Sequence, residues 1–325
     1  MTFQAQHQRG QRARTKIGAL RGAYHGDTLG AVGVGELDNF MTALFAPLLL
    51  RCERLVVPAD PRRLLSGGDA SLALETGTAA VRAFFATHGA SLAAFVCEPL
   101  VQGAGGMFMW PAELLVVIRE ECNRHDVYLI FDEVMTGVGR TGTFLACEQA
   151  GVVPDVLCLS KMLTGGVLPL AVTCATEALY DVFWGEPHEA FLHGHTYTAN
   201  PIACAVAAES LALFEERDLL GHAARLADRL RSTWARIADH ETIRDARTLG
   251  CIAAARIVDP QSGQAPPESA RVGLGIHRRA LALGLLVRPI GETLYLVPPL
   301  ATPLERIDLA VETLLRSLSP SSAAD

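Results

Sequence analysis

Lysine is almost missing from this sequence: Lys16 and Lys161 stand against 26 arginines. Other scarcities narrow the class. No apolar run reaches the roughly 18 residues that a membrane-spanning helix needs, and the best stretch, 40–50, contains a proline. No C-x-x-C pair occurs among the eight cysteines, so they read as reduced core thiols rather than a disulfide or zinc framework. There is no excess of positive charge, the net being −7, which removes the electrostatic case for nucleic acid. The N-terminus lacks the apolar core of a secretory signal, and the chain reads as cytoplasmic. What is present is an ordinary globular composition: 325 residues, 50% hydrophobic and 19% charged. That excludes disorder and leaves room for about two domains.

Short apolar runs at 53–58, 93–98, 127–131, 156–159 and 170–174 read as buried strands. Residues 70–88 and 112–124 show helical spacing between them. This alternation predicts an α/β fold, a mainly parallel sheet sandwiched by helices. From Asn200 the pattern changes to long helices over 201–217 and 222–240. A strand at 251–258, a polar loop at 259–268, a helix to about 283, short strands at 285–289 and 293–297 and a final helix follow. The expected division is a large domain over 1–217 and a smaller α+β domain over 218–325, with a frayed tail from 319.

Gly137, Gly139 and Gly142 fit G-x-G-x-x-G letter for letter. A dinucleotide fingerprint needs those glycines in the turn from strand to helix. Here five residues intervene after the strand and no convincing helix follows. Asp132 and Lys161 form the stronger pattern, because each ends or follows an apolar strand and strand carboxyl ends line the ligand crevice of open α/β sheets. A surface ion pair is the plain alternative. Pyridoxal 5'-phosphate chemistry needs this pair of groups: a lysine for the Schiff base and a carboxylate on the pyridinium nitrogen. His25 and His195 have glycine neighbours and no further His, Cys or Asp at ligand spacing, so they read as loop histidines supporting a pocket and no metal is expected.

Six segments, in order, carry a family resemblance: Tyr24-His-Gly-Asp-Thr28, Glu98-Pro-Leu-Val-Gln-Gly-Ala-Gly-Gly106, Phe131-Asp-Glu-Val-Met-Thr-Gly-Val-Gly-Arg-Thr-Gly142, Leu159-Ser-Lys161, His193-Gly-His-Thr-Tyr-Thr-Ala-Asn-Pro201 and Val287-Arg-Pro289. Together they resemble the class III (omega) aminotransferases, fold-type I pyridoxal-phosphate enzymes. The Tyr24 motif with Arg288-Pro and the Tyr295-Leu-Val-Pro-Pro299 run is most similar to the biotin-biosynthesis branch. The resemblance implies that Lys161 carries the cofactor and shuttles the proton, Asp132 meets the pyridine nitrogen and Tyr24 lies on the ring. His25 and Glu133 would join the cofactor site, and Thr196 would reach the phosphate in the other subunit of a homodimer. Arg288 would clamp a substrate carboxylate, with Gly194 beside the substrate, while Glu98 and Gln102 would support from behind. It further implies transamination of 8-amino-7-oxononanoate with S-adenosylmethionine favoured over lysine as donor, the alternatives being another omega-aminotransferase, an aminomutase, or an inactive truncated chain. Family chains carry on the order of a hundred residues, a small domain's worth, ahead of the position matching Met1. The basic 9–21 stretch would then be the interior of a helix and strand, not a targeting peptide.

Overall fold

The computed structural model describes residues 1–36, 40–57 and 70–319. After a helix at Thr2–Gln8, the chain lays down β1 (Lys16–Leu20), β2 (Glu53–Leu55) and β3 (Leu92–Cys97). The small hairpin β4 (Val101–Gln102) and β5 (Phe108–Met109) follows, then β6 (Tyr128–Asp132), β7 (Val156–Leu159) and β8 (Val172–Ala175). Six of these strands form one sheet in the order β2-β1-β3-β6-β7-β8. All neighbours are parallel except β8, which runs antiparallel on β7.

Burial explains the sheet. In β3 every residue but Val96 is buried, as a strand covered on both faces requires. The helix Ala70–His88 lays Val81, Phe84 and Phe85 into the core containing Phe95. Helix Glu113–Arg124 contributes Leu114, Leu115, Ile118 and Cys122, one stripe of an amphipathic helix. Gly18 in β1 is required by close approach, since a Cβ there would sit 2.8 Å from Phe95. Lys16 at the start of β1 is ion-paired to Glu53 of β2.

The C-terminal part forms a second, antiparallel sheet of β9 (Ile243–Leu249), β10 (Ile252–Ile257) and β11 (Thr293–Leu296), with β10 central. Ala253, Ala254 and Ala255 of β10 are wholly buried, so the strand is flat enough for the helix Leu219–Ala238 to seat Leu226, Leu230, Trp234 and Ile237 in the same cluster. Helices Val272–Ala282 and Leu304–Leu318 complete this layer. Val138, Leu159, Leu163 and Phe214 belong to the same cluster. The chain on either side of Lys161 is therefore braced by the C-terminal unit.

Several expectations shift. The 53–58 strand ends at Leu55, and Pro58 lies outside the described residues, as do 320–325 of the expected tail. The 170–174 strand becomes Val172–Ala175, and all four of its residues are exposed. β9 was not anticipated, because Arg244, Asp245 and Arg247 break its apolar pattern. Residues 285–289 form no strand: the Val287 carbonyl accepts from His277 Nδ1 at 2.5 Å instead of joining a ladder. Four cysteines are buried as core residues, whereas Cys174 and Cys204 are exposed. Among the described residues no helix is long and apolar enough to cross a membrane.

Trp234 is buried and its indole N–H donates to the Ala254 carbonyl at 3.1 Å. Trp234→Ala should lower unfolding free energy by about 3–5 kcal/mol, measured by urea denaturation. Trp234→Phe, which keeps most of the packing and removes this one hydrogen bond, should cost about 0.5–1.5 kcal/mol.

Candidate active site

Asp132 is the last residue of β6 and stands opposite Cys158 of β7. Lys161 opens the 3-10 turn Lys161–Thr164 just beyond β7. That turn is fixed at both ends. Ser160 Oγ donates to the Leu170 carbonyl at 2.6 Å, Thr164 Oγ1 donates to the Leu168 carbonyl at 2.5 Å, and Gly165 closes it at φ 59°, a left-handed conformation that glycine adopts without strain. A cavity of about 360 Å³ lies at this edge, lined among others by Tyr24, His25, Glu98, Met107, Asp132 and Lys161.

The Asp132 carboxylate is held from both sides. His25 Nδ1 lies 2.7 Å from one oxygen, and the Val134 N–H donates to the other at 3.1 Å. His25 Nε2, the other ring nitrogen, is buried and has no partner among the described residues. Tyr24 carries its ring at the cavity, and its phenol is pushed above its ordinary pKa by burial and then by the Asp27 carboxylate that its hydroxyl bonds.

A family model described as "Aminotransferase class-III" matches residues 1–318. The chain belongs to the class-III aminotransferase family. It is similar to the adenosylmethionine-8-amino-7-oxononanoate aminotransferase of Geobacter sulfurreducens, 40% identical across 98% of this chain and 71% of that one. The protein of that name from Synechococcus elongatus is 42% identical across 91% of this chain and 68% of its own length. Among solved structures, an amine transaminase from an uncultivated Pseudomonas species in its PLP-bound form superposes with a TM-score of 0.90 at 32% identity. The superposition covers 98% of this chain and 72% of that one. The Methanocaldococcus jannaschii adenosylmethionine-8-amino-7-oxononanoate aminotransferase gives 0.87 at 29% identity, over 98% and 70%. The class-III chain thus has the fold-type I architecture: a large, mostly parallel sheet flanked by helices and a smaller antiparallel sheet with helices.

The cavity of this class-III aminotransferase fits pyridoxal phosphate at its ring end. An oriented carboxylate suits a protonated ring nitrogen, an aromatic side chain suits a ring face, and the one amine in the lining is Lys161. Among the described residues the lining holds no guanidinium and no hydroxyl other than that of Tyr24.

The remaining expected residues lie elsewhere. Glu133 does not line the cavity: its buried carboxylate accepts from the N–H groups of Ala146 at 2.6 Å and Cys147 at 2.9 Å and holds that turn. Burial pushes its pKa up against those hydrogen bonds. Gly194 and Thr196 sit on the exposed 193–200 loop, where His195 Nδ1 accepts the Tyr197 N–H at 3.1 Å. Arg288 is exposed and lines a neighbouring cavity of about 510 Å³, two residues from Ile290 on the wall of the first. Met107, Met135 and Ile290 were not foreseen as lining; Met135 was within reach, since it lies three residues past Asp132. The decoy glycines occupy a loop, with Gly139 at φ 86° and Gly142 at φ 111°.

Glu98 lines the cavity as a carboxyl raised by burial to about 7 from an ordinary value of 4.5. A raised folded-state pKa means the folded protein binds the proton more tightly. Its stabilising contribution is present below about pH 4.5 and is lost as pH rises through about 7. Urea titrations at several pH values should show wild type losing stability relative to Glu98→Gln across that window, and a flat difference above it. A difference that did not change with pH would contradict the burial argument.

Proposed function

We propose that this class-III aminotransferase converts 8-amino-7-oxononanoate to 7,8-diaminononanoate, with pyridoxal 5'-phosphate as cofactor and S-adenosylmethionine as amino donor. The observation that carries the reading is the meeting of Asp132, steadied by His25, with Lys161 in one cavity. The acceptor and donor are those in the names of the relatives from Geobacter sulfurreducens and Synechococcus elongatus. Net chemistry is an exchange: the C7 ketone of the acceptor becomes an amine, and the amine-bearing carbon of the donor is oxidised to a ketone.

When bound, pyridoxal phosphate supplies the electron sink that lets a C–H bond beside nitrogen give up its proton. The chain supplies the rest. Asp132 would hold the ring nitrogen, with His25 fixing the direction of its carboxylate, and Tyr24 would lie against the ring. Lys161 Nζ is the attachment point and, when free, the base that lifts and returns the proton. Arg288 takes the substrate carboxylate, for which its planar fork is suited, and Gly194 leaves room beside it. Glu133 acts through the turn it holds.

We infer a homodimer in which Thr196 of a second copy binds the phosphate. Supporting this are exposed apolar side chains: Val167, Leu192, Tyr197 and Ile202 are each about two-thirds or more exposed. Val167 and Ile202 share a groove of about 870 Å³ with Thr164. The division into a cofactor-binding domain over 1–217 and a smaller one over 218–325 belongs to the same reading, and eight free thiols suit a cytoplasmic setting.

Purified protein given pyridoxal phosphate should show a visible imine absorbance that borohydride removes. Lys161→Ala should lack it and lose activity by about 100-fold to 10,000-fold; Asp132→Asn should keep the band and lose most turnover. Growth of a biotin auxotroph on this gene, lost in the Lys161 variant, identifies the substrate. An intact imine band without rescue would move the assignment to another omega-aminotransferase. A Lys161→Ala protein that retained the band would end the mechanism.

A further inference from the structure

Glu98 lies just past β3, 4% exposed, with no cation paired to it among the described residues. A buried, uncompensated carboxylate is costly. The geometry shows what it does in return. One oxygen accepts the Tyr24 N–H at 3.0 Å and the other accepts the Gly103 N–H at 2.9 Å. Tyr24 and Gly103 belong to separate stretches of cavity lining: 24–26 brings the aromatic ring and His25, and 103–107 brings Ala104 and Met107.

The two stretches touch at their bases with no side chain between them. A Cβ on Gly105 would lie 2.4 Å from the Gly22 carbonyl oxygen. Gln102 Nε2 donates to the Arg21 carbonyl at 3.0 Å. Both oxygens of Glu98 are needed for its task. An amide of the same shape has one oxygen to offer and would turn an NH2 group toward the second N–H.

We infer that Glu98 is a positioning residue for transamination: its carboxylate ties the Tyr24–Gly26 stretch to the 103–107 stretch and so sets the gap that receives the cofactor ring, keeping His25 against Asp132. This rests on the cofactor reading above. It differs from the bland alternative, a buried acid that only stabilises the fold, because the atoms it holds are backbone groups of two lining segments.

The test uses the full chain and three variants: Glu98→Gln, Glu98→Asp and Asp155→Asn. The last removes a carboxylate that holds the Leu129 N–H at 2.6 Å and Arg119 at 2.8 Å, outside the cavity lining. Hydrogen–deuterium exchange on cofactor-free protein should show the Tyr24 or Gly103 amide exchanging about 10-fold faster or more in Glu98→Gln, the loss of one hydrogen bond to a charged group. Asp155→Asn should leave both amides protected. Titration with pyridoxal phosphate, followed by absorbance, should show Glu98→Gln binding about 10-fold more weakly, with the substrate KM raised more than kcat is lowered. Glu98→Asp, which keeps the charge but reaches one amide, should release one amide and keep the other, and it serves if the glutamine variant does not fold. Unchanged amide exchange in the Glu98 variants would overturn the inference, as would equal weakening of cofactor binding by Asp155→Asn. Failure of the wild type to bind pyridoxal phosphate would instead overturn the cofactor reading, while the exchange data would still judge the tie itself.

Discussion

Because β6 and β7 pair in parallel with Asp132 opposite Cys158, a carboxylate and an amine three residues beyond Cys158 leave the sheet at one edge. The remainder of the site depends on that register. A slip by one residue would send Asp132 to the other face, and His25 and the Val134 N–H would lose the group they hold. The antiparallel β8 closes the β7 side, and the Leu170 and Leu168 carbonyls at its approach hold Ser160 and Thr164 around the lysine.

Buried polar groups do much of the joining between the two sheets. Arg140 is 6% exposed and donates to the Pro298 carbonyl at 2.6 Å, with Met162 Sδ 3.7 Å away. Burial lowers its pKa, and no carboxylate sits against it among the described residues. Arg247 of β9 donates to the carbonyls of Met107 at 3.0 Å and Gly106 at 2.7 Å. Both arginines thus carry contacts from the C-terminal unit to segments flanking Lys161 or lining its cavity. Gly250, at φ 52°, permits the same closeness: a Cβ there would fall 2.4 Å from the Thr141 carbonyl carbon. Desolvated charges of this kind are poor contributors to stability unless their hydrogen bonds are met. Here backbone carbonyls meet them.

Strands β3, β6 and β7 of the large sheet were legible as short apolar runs, whereas interior β1, which opens on Lys16, was reached only through the family resemblance. Runs such as LAAFVC leave little else to read. The Asp132 and Lys161 pairing was legible for a chemical reason, since each sits at a strand end in a chain nearly empty of lysine. What escaped has physical causes. β9 is held in place by arginine side chains bonded to carbonyls, a pattern that hydropathy scores as loop. Residues 285–289 look like a strand by composition, yet His277 takes the carbonyl a ladder would use. That His25 faces Asp132 needs the fold, because 107 residues separate them. The cavity wall formed by Met107 and Ile290 likewise comes from distant segments and carries no local signal. Glu133 was placed with the cofactor by its adjacency to Asp132, yet it lies past the end of β6 and its carboxylate is taken up by the N–H groups of Ala146 and Cys147.

The scarcity of lysine has a practical side in covalent labelling. Amine-directed reagents meet only two side chains in the whole sequence. Lys16 is engaged by Glu53, whereas Lys161 is exposed at the cavity and has no ion-pair partner among the described residues. Arginine, which supplies nearly all the other positive charge, does not lose its proton and stays inert to such reagents. Acylation mapped to Lys161 would therefore read the occupancy of the cavity, with Lys16 and the α-amine as the competing amines.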